Sequence, residues 1–220
     1  MIEGIGKQWE GWLKKEKCER LLTRWGGYDE FTKFENPKNK NKKEFVDALN
    51  KTIKKCKGRP TVLEVGCGTG HFLWAIKDKV AKITGLDYSI HMLELCKNQF
   101  DKGNRSIELI EGNCWDIQLS TNYATMVFMV DVTMHLGKSY DAIKEMIRVA
   151  KKWVLFSGPS FEKFDDVMDK QKDKISWAIS LPLLKKELKL LQKSKVIKGF
   201  EFLDRPKTNV YNHKILVIEK

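Results

Sequence analysis

The run Thr61-Val-Leu-Glu-Val65 passes directly into Gly66-Cys-Gly-Thr-Gly70 and then into His71-Phe-Leu-Trp-Ala-Ile-Lys77. An apolar run, a turn with glycine at alternate residues and a helix-patterned segment confine the chain to a strand that ends in a tight loop and reverses into a helix. Such a unit belongs in a parallel sheet, and its loop stands at the carboxyl end of the strand, where open α/β sheets hold nucleotide ligands. Glycine suits the loop because a side chain would hold the backbone away from a ligand and because sharp turns call for positive φ. A dinucleotide fingerprint spaces its glycines G-x-G-x-x-G and faces a pyrophosphate. Here the spacing is G-x-G-x-G with Glu64 two residues ahead of Gly66, so no pyrophosphate need be housed.

Downstream segments keep the alternation. Residues 81–87 read as a second strand ending in an acid, Asp87, followed by Tyr88-Ser-Ile-His-Met92 and a helix over 92–100. Asp87 falls at the distance where a doubly wound fold sets a carboxylate against ribose hydroxyls. Residues 107–112 form a short third strand before Asn113-Cys-Trp-Asp116, residues 124–136 a fourth strand and loop, 140–150 a helix, and 152–157 a fifth strand. After Pro159 comes a charged segment over 161–174, then Ile175-Ser-Trp-Ala-Ile-Ser180 and a helix starting near Pro182, where proline suits the first turn. Strands at 196–203 and 211–219, joined through Arg205-Pro-Lys-Thr-Asn209, are close enough in sequence to pair antiparallel.

Glu64, Gly66, Gly68 and Gly70, followed by Asp87-Tyr-Ser-Ile-His-Met92 in the register of D-x-S-x-x-M, resemble the first two motifs of class I S-adenosylmethionine-dependent methyltransferases. The resemblance covers residues 60–220 and implies an α/β fold: a doubly wound, seven-stranded, mostly parallel sheet with an antiparallel last strand, helices on both faces and an N-terminal helical cap. It implies S-adenosylmethionine as cofactor, held by Glu64, Gly66, Cys67, Gly68, Gly70, Asp87, Tyr88, Met92, Asn113, Cys114, Trp115 and Met129, with Arg24 on the cofactor carboxylate. In that reading Asn113 accepts from the adenine amine through its carbonyl oxygen and the Cys114 amide meets a ring nitrogen. Asn113 is equally at home as a turn residue or helix cap. The fourth segment departs from the family pattern, with Ala124 and Thr125 where Phe and Asp are usual.

The organisation expected is a helical cap or lid over residues 1–43, rich in aromatics (Trp9, Trp12, Trp25, Tyr28, Phe31, Phe34), and a Rossmann-like methyltransferase domain over 44–220. A sulfonium methyl is already activated, so proximity and orientation carry most of the rate and a base matters only for an acceptor that holds a proton. His135 is the first candidate base, because imidazole titrates near neutrality; Tyr28 and Asp131 follow. Each also has a structural reading, as a loop hydrogen-bonder or a packed aromatic.

At 220 residues and 42% hydrophobic content the chain suits one domain plus a small appendage. Neither a long apolar span nor a signal-peptide pattern stands in it, which gives a cytoplasmic expectation with no membrane partner. Cys18, Cys56, Cys67, Cys96 and Cys114 are scattered and odd in number, so neither a disulfide framework nor a metal site is implied. The net charge of +12 is mostly lysine, and the runs at 38–43, 51–57 and 185–189 read as solvated faces. The chain lacks the D/N/S-P-P-aromatic loop of amino-methylating DNA enzymes and a Pro-Cys nucleophile, so DNA is not expected as substrate. A small-molecule acceptor at O, N or C leads, an RNA methyltransferase using the basic surface is the alternative, and a non-catalytic binder of the cofactor is a third. The oligomeric state is not legible.

Overall fold

A computed structural model of the chain describes residues 14–24, 40–135, 139–161, 167–171, 174–204 and 212–220. Helices α1 (Lys15–Arg24) and α2 (Lys40–Lys54) precede β1 (Thr61–Val65), α3 (His71–Ile76), β2 (Lys82–Asp87), α4 (Ile90–Lys102), β3 (Glu108–Glu111) and β4 (Ala124–Val130). Then come a 3-10 turn (Thr133–His135), α5 (Ser139–Val149), β5 (Ala150–Phe161), β6 (Val167–Gln171), β7 (Lys174–Ser180), α6 (Leu181–Lys193), β8 (Gly199–Asp204) and β9 (Asn212–Glu219).

The central strands are buried on both faces, which is why they are apolar without gaps rather than alternating with polar residues. Along β4, Met126, Phe128 and Val130 pack on one face with Phe45 and Leu49 of α2, Leu73 of α3 and Phe100 of α4. Val127 and Met129 pack on the other with Ile143, Met146 and Ile147 of α5 and Leu184 and Leu188 of α6. Helix starts follow local chemistry. The Ser89 hydroxyl accepts from the Met92 amide at 3.4 Å to cap α4, and Ser180 accepts from the Leu183 amide, with Pro182 in the first turn of α6. That agrees with the helix expected near Pro182.

The order β3-β2-β1-β4-β5 is parallel, β9 pairs antiparallel with β5 from Trp153–Glu219 to Ser160–Asn212, and β8 pairs with β9. These seven strands are the doubly wound arrangement with an antiparallel last strand that the sequence predicts, within a sheet of nine among the described residues. The expectation was incomplete in one place. The stretch after Pro159 is not merely a charged connection: β5 runs on to Phe161, and β6 and β7 form an antiparallel hairpin. Ser160 pairs with Asn212 of β9 on one edge and with Ile179 of β7 on the other, whereas β4 ends its pairing with β5 at Ser157. The hairpin therefore takes over the edge of β5 that β4 vacates and packs against the turn 133–135. Helix α2 begins at Lys40, so the expected boundary between residues 43 and 44 falls within it. Of the expected cap, 1–13 and 25–39 lie outside the described residues, including all six aromatics, Tyr28 among them. Among the described residues no helix is long and apolar enough to cross a membrane.

Candidate functional site

At the carboxyl tips of β1, β2 and β4 lies a cavity of about 460 Å³. Its floor is the loop 66–70. The Gly66 and Cys67 amides both donate to the Leu86 carbonyl, at 2.7 and 3.0 Å, which ties the loop to the end of β2. The glycines serve different ends. A Cβ on Gly66 would stand 2.4 Å from Val132, and one on Gly70 2.3 Å from the Cys96 sulfur of α4, so both are close approaches. Gly68, at φ +51°, has nothing within 4 Å of a built Cβ. It faces the cavity, and a side chain there would fill ligand space.

Asp87 ends β2 with its carboxylate already organised. Oδ2 accepts from the Gly68 amide at 2.8 Å and Oδ1 from the Ser89 amide at 2.9 Å. Burial raises its pKa, against which these backbone donors pull. A carboxylate has about four acceptor sites, so acceptor capacity remains for a ligand. Asn113 opens the turn after β3, and its Oδ1 accepts from the Trp115 amide at 2.8 Å. The turn reading of Asn113 is thus realised, while the residue, with Cys114 and Trp115, also lines the cavity. Burial pushes the Cys114 thiol up to about 12. The hydrogen bond that the Cys67 thiol donates to Cys96, with burial, holds the Cys67 thiol well above its ordinary range. Both are therefore protonated and poor nucleophiles.

Glu64 lies on β1 at 2% exposure, its Oε2 without a hydrogen-bond partner among the described residues. Burial holds its carboxyl well above the usual range. Beyond β4, Asp131 sits at φ +54° with its amide donating to the Ser157 carbonyl at 2.8 Å. Burial lowers the His135 imidazole to about 3, helped by Lys17 of α1. At neutral pH it is uncharged and a weak base, unlike the near-neutral imidazole expected from its residue type.

Most of the predicted set meets here: Glu64, Gly66, Cys67, Gly68, Asp87, Tyr88, Met92, Asn113, Cys114, Trp115, Asp131 and His135 all line the cavity. Gly70 supports the floor from beneath through its contact with α4. Met129 is fully buried against α5 instead, because strand alternation turns it to the opposite face from Phe128 and Val130. Arg24 ends α1, with its side chain outside the described residues, as is all of Tyr28. Two titratable wall residues stand outside the predicted set. His71 is half-buried with both ring nitrogens covered, and burial and then Lys42 hold its pKa well below its usual value; its place directly after Gly70 was the available signal. Lys42 had none. The run 38–43 was read as a solvated face, and Lys43 fits that with an exposed ion pair to Asp47 at 2.7 Å, but Lys42 lines the cavity. Burial lowers its amine to about 8, with Asp131 opposing. The unusual Ala124-Thr125 lies at the other end of β4, where the Thr125 amide donates to the Thr61 hydroxyl at 2.9 Å.

A methyltransferase-domain family model matches residues 62–153. No curated protein sequence matches the chain. Solved structures with the same fold include magnesium protoporphyrin IX methyltransferase of Synechocystis PCC 6803 with bound S-adenosylmethionine, at 16% identity and TM-score 0.62 over 94% of this chain and 98% of that one. An S-adenosylmethionine-dependent methyltransferase of Clostridium acetobutylicum aligns at 15% identity and TM-score 0.60, over 80% and 91%. One from Aquifex aeolicus aligns at 17% and 0.55, over 94% and 98%. At such identities the likeness establishes the fold.

Proposed function

We propose that the chain is an S-adenosylmethionine-dependent methyltransferase acting on a small-molecule acceptor, a reading supported by the methyltransferase-domain family model that matches residues 62–153 and by the Rossmann-like sheet. The observation that carries the reading is the cavity itself: a concave site at the strand tips, closed on one side by α2 and walled largely by apolar groups such as Phe72, Val130, Val132 and Met134.

The residues present fit the cofactor. Gly68 leaves open space where a backbone must meet a ligand. Asp87 is fixed by two backbone donors with acceptor capacity to spare for ribose hydroxyls. The unpaired Glu64 Oε2 is a buried acceptor suited to an ammonium, and Lys42 supplies a cation for the cofactor carboxylate, the task the sequence assigned to Arg24. Asn113, Cys114 and Trp115 make the adenine end, with Met92 and Tyr88 as walls. When bound, the cofactor supplies an activated sulfonium methyl. The chain's own contribution is to hold the acceptor in line with it and to keep water out, which low-dielectric walls favour. His135 and Asp131 stand at the acceptor end as hydrogen-bonding groups. Of the cap expected over residues 1–43, helix α1 stands close enough for Lys17 to bear on His135.

Calorimetry with S-adenosylmethionine, followed by labelled-methyl transfer to a low-molecular-weight metabolite extract and to total RNA, tests the assignment. Label in the metabolite fraction is the expected result. Label confined to RNA, with binding that weakens steeply as salt rises, would replace the small-molecule reading by the RNA one.

A further inference from the structure

Two thiols lie side by side beneath the glycine loop. Cys67 is the second residue of the loop 66–70 and Cys96 lies on α4; they are 2% and 0% exposed, and the Cys67 thiol donates a hydrogen bond to Cys96. The surrounding backbone places both sulfurs at the same seam between loop, sheet and helix. A Cβ on Gly85 of β2 would stand 2.8 Å from the Cys67 sulfur, and one on Gly70 of the loop 2.3 Å from the Cys96 sulfur. Both residues belong to one core cluster.

The pair is hidden from bulk solvent but not from the cavity, because Cys67 is one of the residues that line it. A small neutral oxidant that enters the empty site meets Cys67, with Cys96 directly behind. A cofactor seated on the loop covers that approach.

We propose that Cys67 and Cys96 are a modification site, a dithiol that peroxide converts to a reversible disulfide when the cofactor site is empty; the link to the cofactor rests on the S-adenosylmethionine reading above, the disulfide itself does not. A peroxide oxygen bonds to the Cys67 sulfur as the oxygen–oxygen bond breaks, giving a sulfenic acid and one water. The Cys96 sulfur then attacks the Cys67 sulfur, the sulfur–sulfur bond forms, and the departing hydroxyl leaves with the Cys96 proton as a second water. Two thiols are oxidised and one peroxide is reduced. The protonated state of Cys67 makes the first step slow, and the adjacent thiol makes the second one fast.

A disulfide draws its sulfurs to about 2.05 Å, so one of the two must move. Cys96 is held within α4 and against Gly70, whereas the loop borders open cavity at Gly68. The loop is therefore the part that shifts, toward α4, and it carries the Gly68 amide away from the Asp87 carboxylate that it meets at 2.8 Å. Oxidation weakens the cofactor site, and by reciprocity the bound cofactor opposes oxidation.

The test treats the full chain with hydrogen peroxide, with and without saturating S-adenosylhomocysteine, then alkylates the denatured protein and maps its peptides by mass spectrometry. A peptide linking Cys67 to Cys96 is expected, with two of the five thiols lost and both recovered by dithiothreitol. Bound S-adenosylhomocysteine should slow the linkage about tenfold, and calorimetry on the oxidised protein should show about tenfold weaker binding that reduction restores. Cys96→Ser, a change outside the cavity lining, should bind S-adenosylhomocysteine within about twofold of the parent and yield no linked peptide. Cys67 oxidised to a sulfinic acid while Cys96 stays free, or Cys67 linked to Cys114, would overturn the pair. Linkage at an equal rate with ligand bound would overturn its control by the cofactor site. Failure of the reduced protein to bind S-adenosylhomocysteine would remove the cofactor reading and that control with it, while the peptide map would still decide the disulfide.

Discussion

The two edges of the central sheet are built to opposite rules. At the amino-terminal edge, charges meet partners. Glu108 of β3 takes Lys82 at 2.7 Å and the Tyr123 hydroxyl at 2.7 Å. Arg148 binds both oxygens of Glu145, each at 2.7 Å, and the carbonyls of Ile117 and Leu119 at 2.7 and 2.8 Å. At the carboxyl-terminal edge, buried Glu64 Oε2, Thr69 Oγ1 and Thr133 Oγ1 have no hydrogen-bond partner among the described residues, and the nearby lysine and imidazoles are pushed toward their neutral forms. A folded chain does not leave buried acceptors unmatched without cost. One edge stabilises the sheet, and the other holds polar capacity in reserve for a ligand.

Substitutions that act on one edge and spare the other are the sharpest tests of this contrast. The largest effect is expected at Gly70→Val, which drives a side chain into Cys96 at a φ of +76°. A loss of about 3 kcal/mol in stability should appear in denaturant titration, together with loss of cofactor binding; a normally stable, binding variant would break the account of the loop. Next, Asp87→Ala removes the acceptor for the Gly68 and Ser89 amides as well as for the ribose, so calorimetry should show about a hundredfold weaker cofactor binding, about 2.7 kcal/mol.

Arg148→Ala, on the opposite edge, should lower stability by about 1.5 kcal/mol, reduced from the full count of its bonds because the side chain is part-exposed. Cofactor affinity should not change, and if it falls in step with stability the two edges are not separable. Glu64→Gln should go the other way. Burial raises the Glu64 pKa above its ordinary 4.5, so the unfolded chain ionises first and the free protein loses stability as pH rises above that value. The amide removes this penalty. The free variant should be more stable at neutral pH by about 1 kcal/mol with a flatter pH dependence, yet bind cofactor less well. Smallest of all, Lys43→Ala breaks an exposed pair with Asp47 and should shift stability by no more than about 0.5 kcal/mol, a direct control for a larger cofactor-binding loss in Lys42→Met.

The cofactor side was the more legible half of the site. Glycines at 66, 68 and 70, the acid at 87 and the 113–115 turn follow strands whose apolar runs announce them, so the loop after each strand lands at the same edge once the sheet is parallel. The acceptor side was less so, since His135, His71 and Lys42 come from three separate elements. Lys42 and Lys43 are neighbours in one basic run with opposite fates, because successive residues on α2 point about 100° apart and only one of those directions faces the cavity. The hairpin β6–β7 was hidden for a related reason: its place depends on which edge of β5 lies free beyond Ser157, a fact set by where β4 stops.

By itself the amino-acid order determined the alternation of strands and helices, the glycine loop, the acid at the end of β2 and the antiparallel tail, all of which are written in periodicities and spacings of a few residues. Tertiary structure alone decided that Met129 belongs to the core and Lys42 to the cavity, that His135 is neutral rather than a ready base, and that the amide oxygen of Asn113 is shared with its own turn. Those outcomes depend on burial and on distances between segments far apart in sequence, and a side chain's charge and reach are set by what packs around it.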